Sequence, residues 1–134
     1  MRLSLIVLLG ALFLFTCKSQ TNANPETIEI VVEPKIEVLE VEAFKSAISE
    51  SNIQLIDVRT PGEYAHGHIE NALNIDYLND GFATAVLKMN KNTPVYIYCR
   101  SGGRSEQAAL LMKKLGFKTI YDLKGGFLAW SEQN

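Results

Sequence analysis

"PVYIYCRSGGRSEQAALLMKKLGF", residues 94–117, joins two kinds of pattern through one short turn. Residues 94–99 are a continuous apolar run rich in Val, Ile and Tyr. Such a run, too short for a helix, reads as a strand buried on both faces. From Ser105 the period changes. Ala108, Leu111, Met112 and Leu115 recur at helical spacing, and Gly116 stops the helix. A buried strand that feeds a helix belongs to a strand–helix–strand crossover, which pairs its strands in parallel.

The same alternation continues on both sides. "IEVLEVEAFKSAI" begins at Ile36 as an alternating stretch and continues as a helix, with Val41, Phe44, Ala47 and Ile48 on one face. "IQLIDV" (53–58) and "ALNI" (72–75) read as short strands. "GFATAVLKM" reads as a helix facing inward through Phe82, Ala85, Val86 and Met89. "TIYDL" is a last strand and "GGFLAW" a short closing helix. The chain is therefore expected to be α/β, with three layers, a central mostly parallel sheet and helices on both faces. Residues 94–99 are expected at the centre. In such sheets ligands bind beyond the carboxyl ends of strands, and Cys99 stands at such an end. No internal repeat is visible.

The chain has 134 residues, enough for one ordinary domain. Its 13 basic and 15 acidic residues leave a net charge of −2. No basic run offers a nucleic-acid face, and Lys113–Lys114 reads as a solvated helix surface. Cys17 and Cys99 stand in different contexts and form no CxxC pair. His66 and His68 lack further ligands nearby and read as turn residues, so no metal is expected.

"MRLSLIVLLGALFLFTC" opens with Arg2 and an apolar run from Leu3 to Phe15. The run is shorter than the roughly 18 residues of a spanning helix. Ending at Cys17, it resembles a bacterial lipoprotein signal peptide. The expected organisation is a signal peptide over 1–16, a lipidated Cys17 with a linker over 17–35, and a domain over 36–134. The linker is polar at first, and Thr27–Val32 reads as an extended piece. The expected location is the periplasmic face of a bacterial membrane. An uncleaved anchor, or a secreted or soluble periplasmic product, are the alternatives.

The loop after residue 99 supplies what a reactive thiol needs. A cysteine at a helix N-terminus beside cations can have its pKa lowered to about 3.5–7.5. Gly102 and Gly103 let the backbone curl so that successive amides converge. Arg100 and Arg104 bring positive charge, and Ser101 lies between. Residue 104 closes the ring, so Arg104 is expected to stabilise the thiolate. Arg100 is expected to face the incoming anion.

"CRSGGRS", "LIDVRTPGEYAHGHIENALNID" and "GFKTIYDLKGGFLAW" together resemble a single-domain rhodanese, a sulfurtransferase, over about residues 38–131. The resemblance implies the rhodanese-like fold and a Cys99 persulfide that carries sulfur from a thiosulfate-like donor to cyanide or a thiol. It places Arg100, Ser101, Gly102, Gly103 and Arg104 around the sulfur, and Asp57 and Arg59 in a supporting segment. It implies no metal, organic cofactor or nucleic acid. The C-x4-R spacing of Cys99 to Arg104 resembles the six-residue loop of rhodaneses. Related phosphatases and arsenate reductases have C-x5-R. A non-catalytic sulfur- or anion-binding or protein-interaction module is the alternative, although such modules usually lack the cysteine. Phe127 and Trp130 read as core.

Overall fold

A computed structural model describes residues 33–133. The expected leader and Cys17 lie outside the described residues. The elements are β1 (Lys35–Leu39), α1 (Val41–Ile48), β2 (Gln54–Asp57), α2 (Pro61–Ala65) and β3 (Leu73–Asn74). They continue as α3 (Phe82–Val86), β4 (Val95–Tyr98), α4 (Gly103–Lys114), β5 (Thr119–Leu123) and α5 (Gly126–Glu132). The five strands form one sheet in the order β1-β5-β4-β2-β3. Every ladder is parallel. The α/β class, the parallel sheet and the central place of 94–99 all match the sequence reading.

Side chains alternate across a strand, so β4 feeds two cores. Val95, Ile97 and Cys99 pack with Ile56, Val58 and Ile120 under α3 and α4. Tyr96 and Tyr98 join Leu55 and Leu123 on the opposite face, against α1, α2 and α5. Fully burying a Val or Ile stabilises by about 1.5–3 kcal/mol. The centre of the sheet, where both faces are covered, is therefore the firm base of the site. Among the described residues, no helix is long and apolar enough to cross a membrane.

Two helix starts are set by caps rather than by an apolar period. Helix α4 opens at Gly103, two residues before its apolar period, because Gly102 serves as N-cap in a left-handed conformation (φ 114°). Gly103 and Arg104 are thus helical. Helix α2 opens at Pro61 because Thr60 and Glu63 form a reciprocal capping box. The far end of α4 stops as expected. Gly116 has φ 97°, its amide bonds Lys113, and the Phe117 amide reaches back to Met112.

Candidate active site

Cys99 follows the last residue of β4 and points to the α4 face, 1% exposed. The Gly102 amide donates to Sγ at 3.0 Å. The Ser105 hydroxyl lies 3.5 Å from Sγ and 3.0 Å from the Gly102 carbonyl. Burial alone would push the thiol up. The Ser105 hydroxyl, then the amides of Ser105, Gly102 and Ser101, outweigh it and bring the pKa below the ordinary thiol value. Ser105 was not singled out from the sequence, although it stands one residue past the loop and its side chain is buried.

The loop is held from behind by α5. The Phe127 amide donates to the Cys99 carbonyl at 2.8 Å, and the Leu128 amide to the Arg100 carbonyl at 3.0 Å. Gly126 makes this crossing possible. A Cβ there would lie 2.6 Å from the Cys99 oxygen and 2.7 Å from the Arg100 carbonyl carbon. Read from sequence as a helix start, "GG" is also the place where two backbones touch.

Arg104 reaches a second partner beside the sulfur. Its guanidinium forms a two-pronged ion pair with Glu63, both bonds 2.7 Å. Arg104 therefore stays charged chiefly through Glu63, and its attraction to the Cys99 thiolate ranks below that pair. Glu63 in turn is held down to about 2, first by Arg104, and the Thr60 contacts add to the effect against burial. One carboxylate thus closes the cap of α2 and fastens α2 to the first turn of α4.

Asp57 and Arg59 form a buried ion pair with a shortest contact of 2.6 Å. Arg59 also donates to the Gly67 carbonyl at 2.7 Å and lies over the Phe127 ring, 4.1 Å from its centroid. The Asp57 carboxylate accepts from both the backbone amide and the guanidinium of Arg59, so it braces the segment beside the loop.

Arg100 is exposed, as its place after the strand suggested. It lines a cavity of about 370 Å³ with Arg59, Gly62, Glu63, His66 and Phe127. Phe127 therefore has one side in the core cluster and one on this cavity, which modifies its reading as core alone. Trp130 packs edge-on against Phe44 at 6.5 Å. His66 accompanies the Gly62 carbonyl at 2.6 Å, and His68 stacks on Tyr64 at 3.7 Å. Among the described residues, no three metal-ligating side chains cluster.

The site is thus a cysteine at the end of a parallel sheet, capped by a loop amide and with its thiol lowered despite burial. The chain belongs to the rhodanese-like domain family, whose description matches residues 40–133. It is 45% identical over 82 residues to the Bacillus subtilis protein YqhL, covering 58% of this chain and 60% of that one. It is 32% identical over 83 residues to the thiosulfate sulfurtransferase GlpE of Shewanella oneidensis, covering 62% of this chain and 80% of that one. The crystal structure of a rhodanese-like domain protein from Staphylococcus aureus superposes with a TM-score of 0.63 at 32% identity. That match covers 70% of this chain and 90% of the other.

Proposed function

We propose that this protein is a sulfurtransferase that moves sulfane sulfur from thiosulfate or a related donor to a thiol or cyanide through Cys99. The observation that carries the reading is the Cys99 sulfur under the Gly102 amide and the Ser105 hydroxyl, acidified despite burial. In the first half-reaction the Cys99 thiolate attacks the outer sulfur of the donor. The donor S–S bond breaks, and sulfite leaves with the electron pair. In the second, the acceptor attacks the outer sulfur of the persulfide, and Cys99 leaves as the thiolate that the loop already stabilises. Arg100 is exposed on the loop next to Cys99 and supplies positive charge for an incoming anion. The likeness to GlpE supports thiosulfate as donor.

The full chain, incubated with thiosulfate alone, should gain one sulfur atom on Cys99 by mass spectrometry and release sulfite. Cyanide should then restore the thiol and yield thiocyanate. Cys99→Ser should abolish both steps. A wild-type chain that never forms the adduct would leave the binding-module reading in its place.

We also propose export and attachment to a membrane through lipid on Cys17, on the strength of the apolar run that ends there. Labelled fatty acid should enter the wild-type protein and not Cys17→Ser. Absence of label from the wild type would refute the anchor.

A further inference from the structure

Asp122 is a charged residue in the heart of the sheet. It lies in register between Val38 of β1 and Ile97 of β4. By the strand's alternation its side chain shares the α4 face with Ile120, which packs in the same cluster as Cys99. It is 5% exposed, and its Oδ1 has no hydrogen-bond partner among the described residues. A buried polar atom without a partner is costly and calls for a cause.

Two neighbours supply one. On one side stands Ser105, whose hydroxyl lies 3.5 Å from Cys99 Sγ and whose influence draws the Asp122 carboxyl down against burial. On the other side is a cavity of about 250 Å³, lined by Asp122 with Val38, Gly102, Glu106, Lys124 and Gly125. It is open to solvent and roomy enough for water.

We propose that Asp122 is a positioning residue for Cys99. Its protonation state decides whether the Ser105 hydroxyl serves the carboxylate or the sulfur, and water in the cavity exchanges its proton. The inference rests on Cys99 being the sulfur carrier.

Ser105 has one hydroxyl proton. Cys99 Sγ, the Gly102 carbonyl and Asp122 compete for it. An ionised carboxylate is the strongest acceptor of the three. A neutral Asp122 donates its own proton to Ser105 Oγ, and the Ser105 proton is released toward the sulfur. Burial pushes the Asp122 carboxyl up to about 6. The Ser105 hydroxyl and the Leu123 amide act in the opposite sense, and the Glu106 charge adds to the rise. The change therefore falls close to neutral pH. The charged groups facing Asp122 are Glu106 from α4 and Lys124 from the turn after β5, whose ammonium is paired with Glu40 ahead of α1. From β1 and β4 come the uncharged Val38 and Ile97, with Cys99 beyond Ser105.

The test reads the thiol rather than sulfur transfer, so its failure is distinct from failure of the proposed activity. Iodoacetamide labelling of the Cys99 peptide is followed by mass spectrometry from about pH 5 to 9, across the range of cysteine and raised carboxyl titration. Asp122→Asn should lower the Cys99 midpoint by about one unit, so that labelling below the midpoint is about tenfold faster. The wild-type curve should depart from a single ionisation near pH 6, and the variant should follow a single one. In a Ser105→Ala background the Asp122→Asn shift should shrink by more than half. An unmoved midpoint in Asp122→Asn overturns the proposal. So does an equally large shift without Ser105, which would be a bare charge effect. If Asp122→Asn failed to fold, the wild-type Asp122 carboxyl resonance still decides: titration near the ordinary value of about 4 overturns the proposal.

Discussion

At the Cys99 sulfur, a hydroxyl and three amides work against burial. The hydroxyl ranks first among them, which makes Ser105 the residue to test. Hydrogen bonds to charged groups contribute about 1.5–3 kcal/mol, so in the Asp122→Asn background, where the hydroxyl is released to the sulfur, Ser105→Ala should raise the Cys99 alkylation midpoint by about one unit. Arg104→Ala should raise it by less, because that guanidinium is committed to Glu63 at 2.7 Å on both prongs. Alkylation of the Cys99 peptide against pH separates the two. A larger shift in Arg104→Ala than in Ser105→Ala would restore the arginine to the primary role. The sequence points to Arg104 because positive charge near a thiol is a visible signal. A serine hydroxyl one position further on is not, since serine is common at helix starts for its capping ability alone.

The loop is a product of three helices rather than of its own residues. Helix α4 aims its first amides at the sulfur, α5 grips the Cys99 and Arg100 carbonyls, and α2 holds α4 through Glu63. Gly126→Ala should therefore act on the site from α5. A Cβ at 2.6 Å from a backbone oxygen, on a residue with φ 60°, forces one strand of the crossing to move. A loss of about 3 kcal/mol or more is expected in urea denaturation, together with slower Cys99 alkylation at fixed pH. Stability and alkylation within error of the wild type would show that the crossing adapts. Most elements were legible in the sequence, since they carry a period of their own; the five residues of α2 carry none. Helix starts were less so. Gly102 extends α4 ahead of its apolar pattern and Thr60 opens α2, both as caps, which leave no periodic trace. Contacts between elements were not legible at all. Glu63 and Arg104 are 41 residues apart, and nothing in either local pattern announces the pair. Asp122 sits in "TIYDL", where a charge suggests exposure; only the assembled sheet shows it covered by β1, β4 and α4.

Across the whole molecule, two carboxylates couple folding to pH in opposite directions. Glu63 is lowered from 4.5 to about 2 in the folded state, so its contribution is present above pH 4.5 and is lost as pH falls toward 2. The pair is partly exposed, 24% for Arg104 and 29% for Glu63, so solvent screening reduces its worth to about 1 kcal/mol. Asp122 is raised from 3.8 to about 6, so the folded state holds its proton more tightly than the unfolded one. Its folded form is therefore favoured below pH 3.8 relative to higher pH, and stability is lost as pH rises through about 6. Beside a cavity open to solvent, the cost of the ionised form is on the order of 2 kcal/mol. Asp122→Asn should thus melt higher than the wild type at pH 8, by on the order of 10 °C for a domain of this size, and the gap should close below about pH 4. Glu63→Gln should do the reverse, melting lower at pH 8 and converging with the wild type near pH 2. Calorimetry of the full chain at several pH values checks both. An Asp122→Asn protein that melts lower than the wild type at pH 8 would mean that the carboxylate is satisfied in solution.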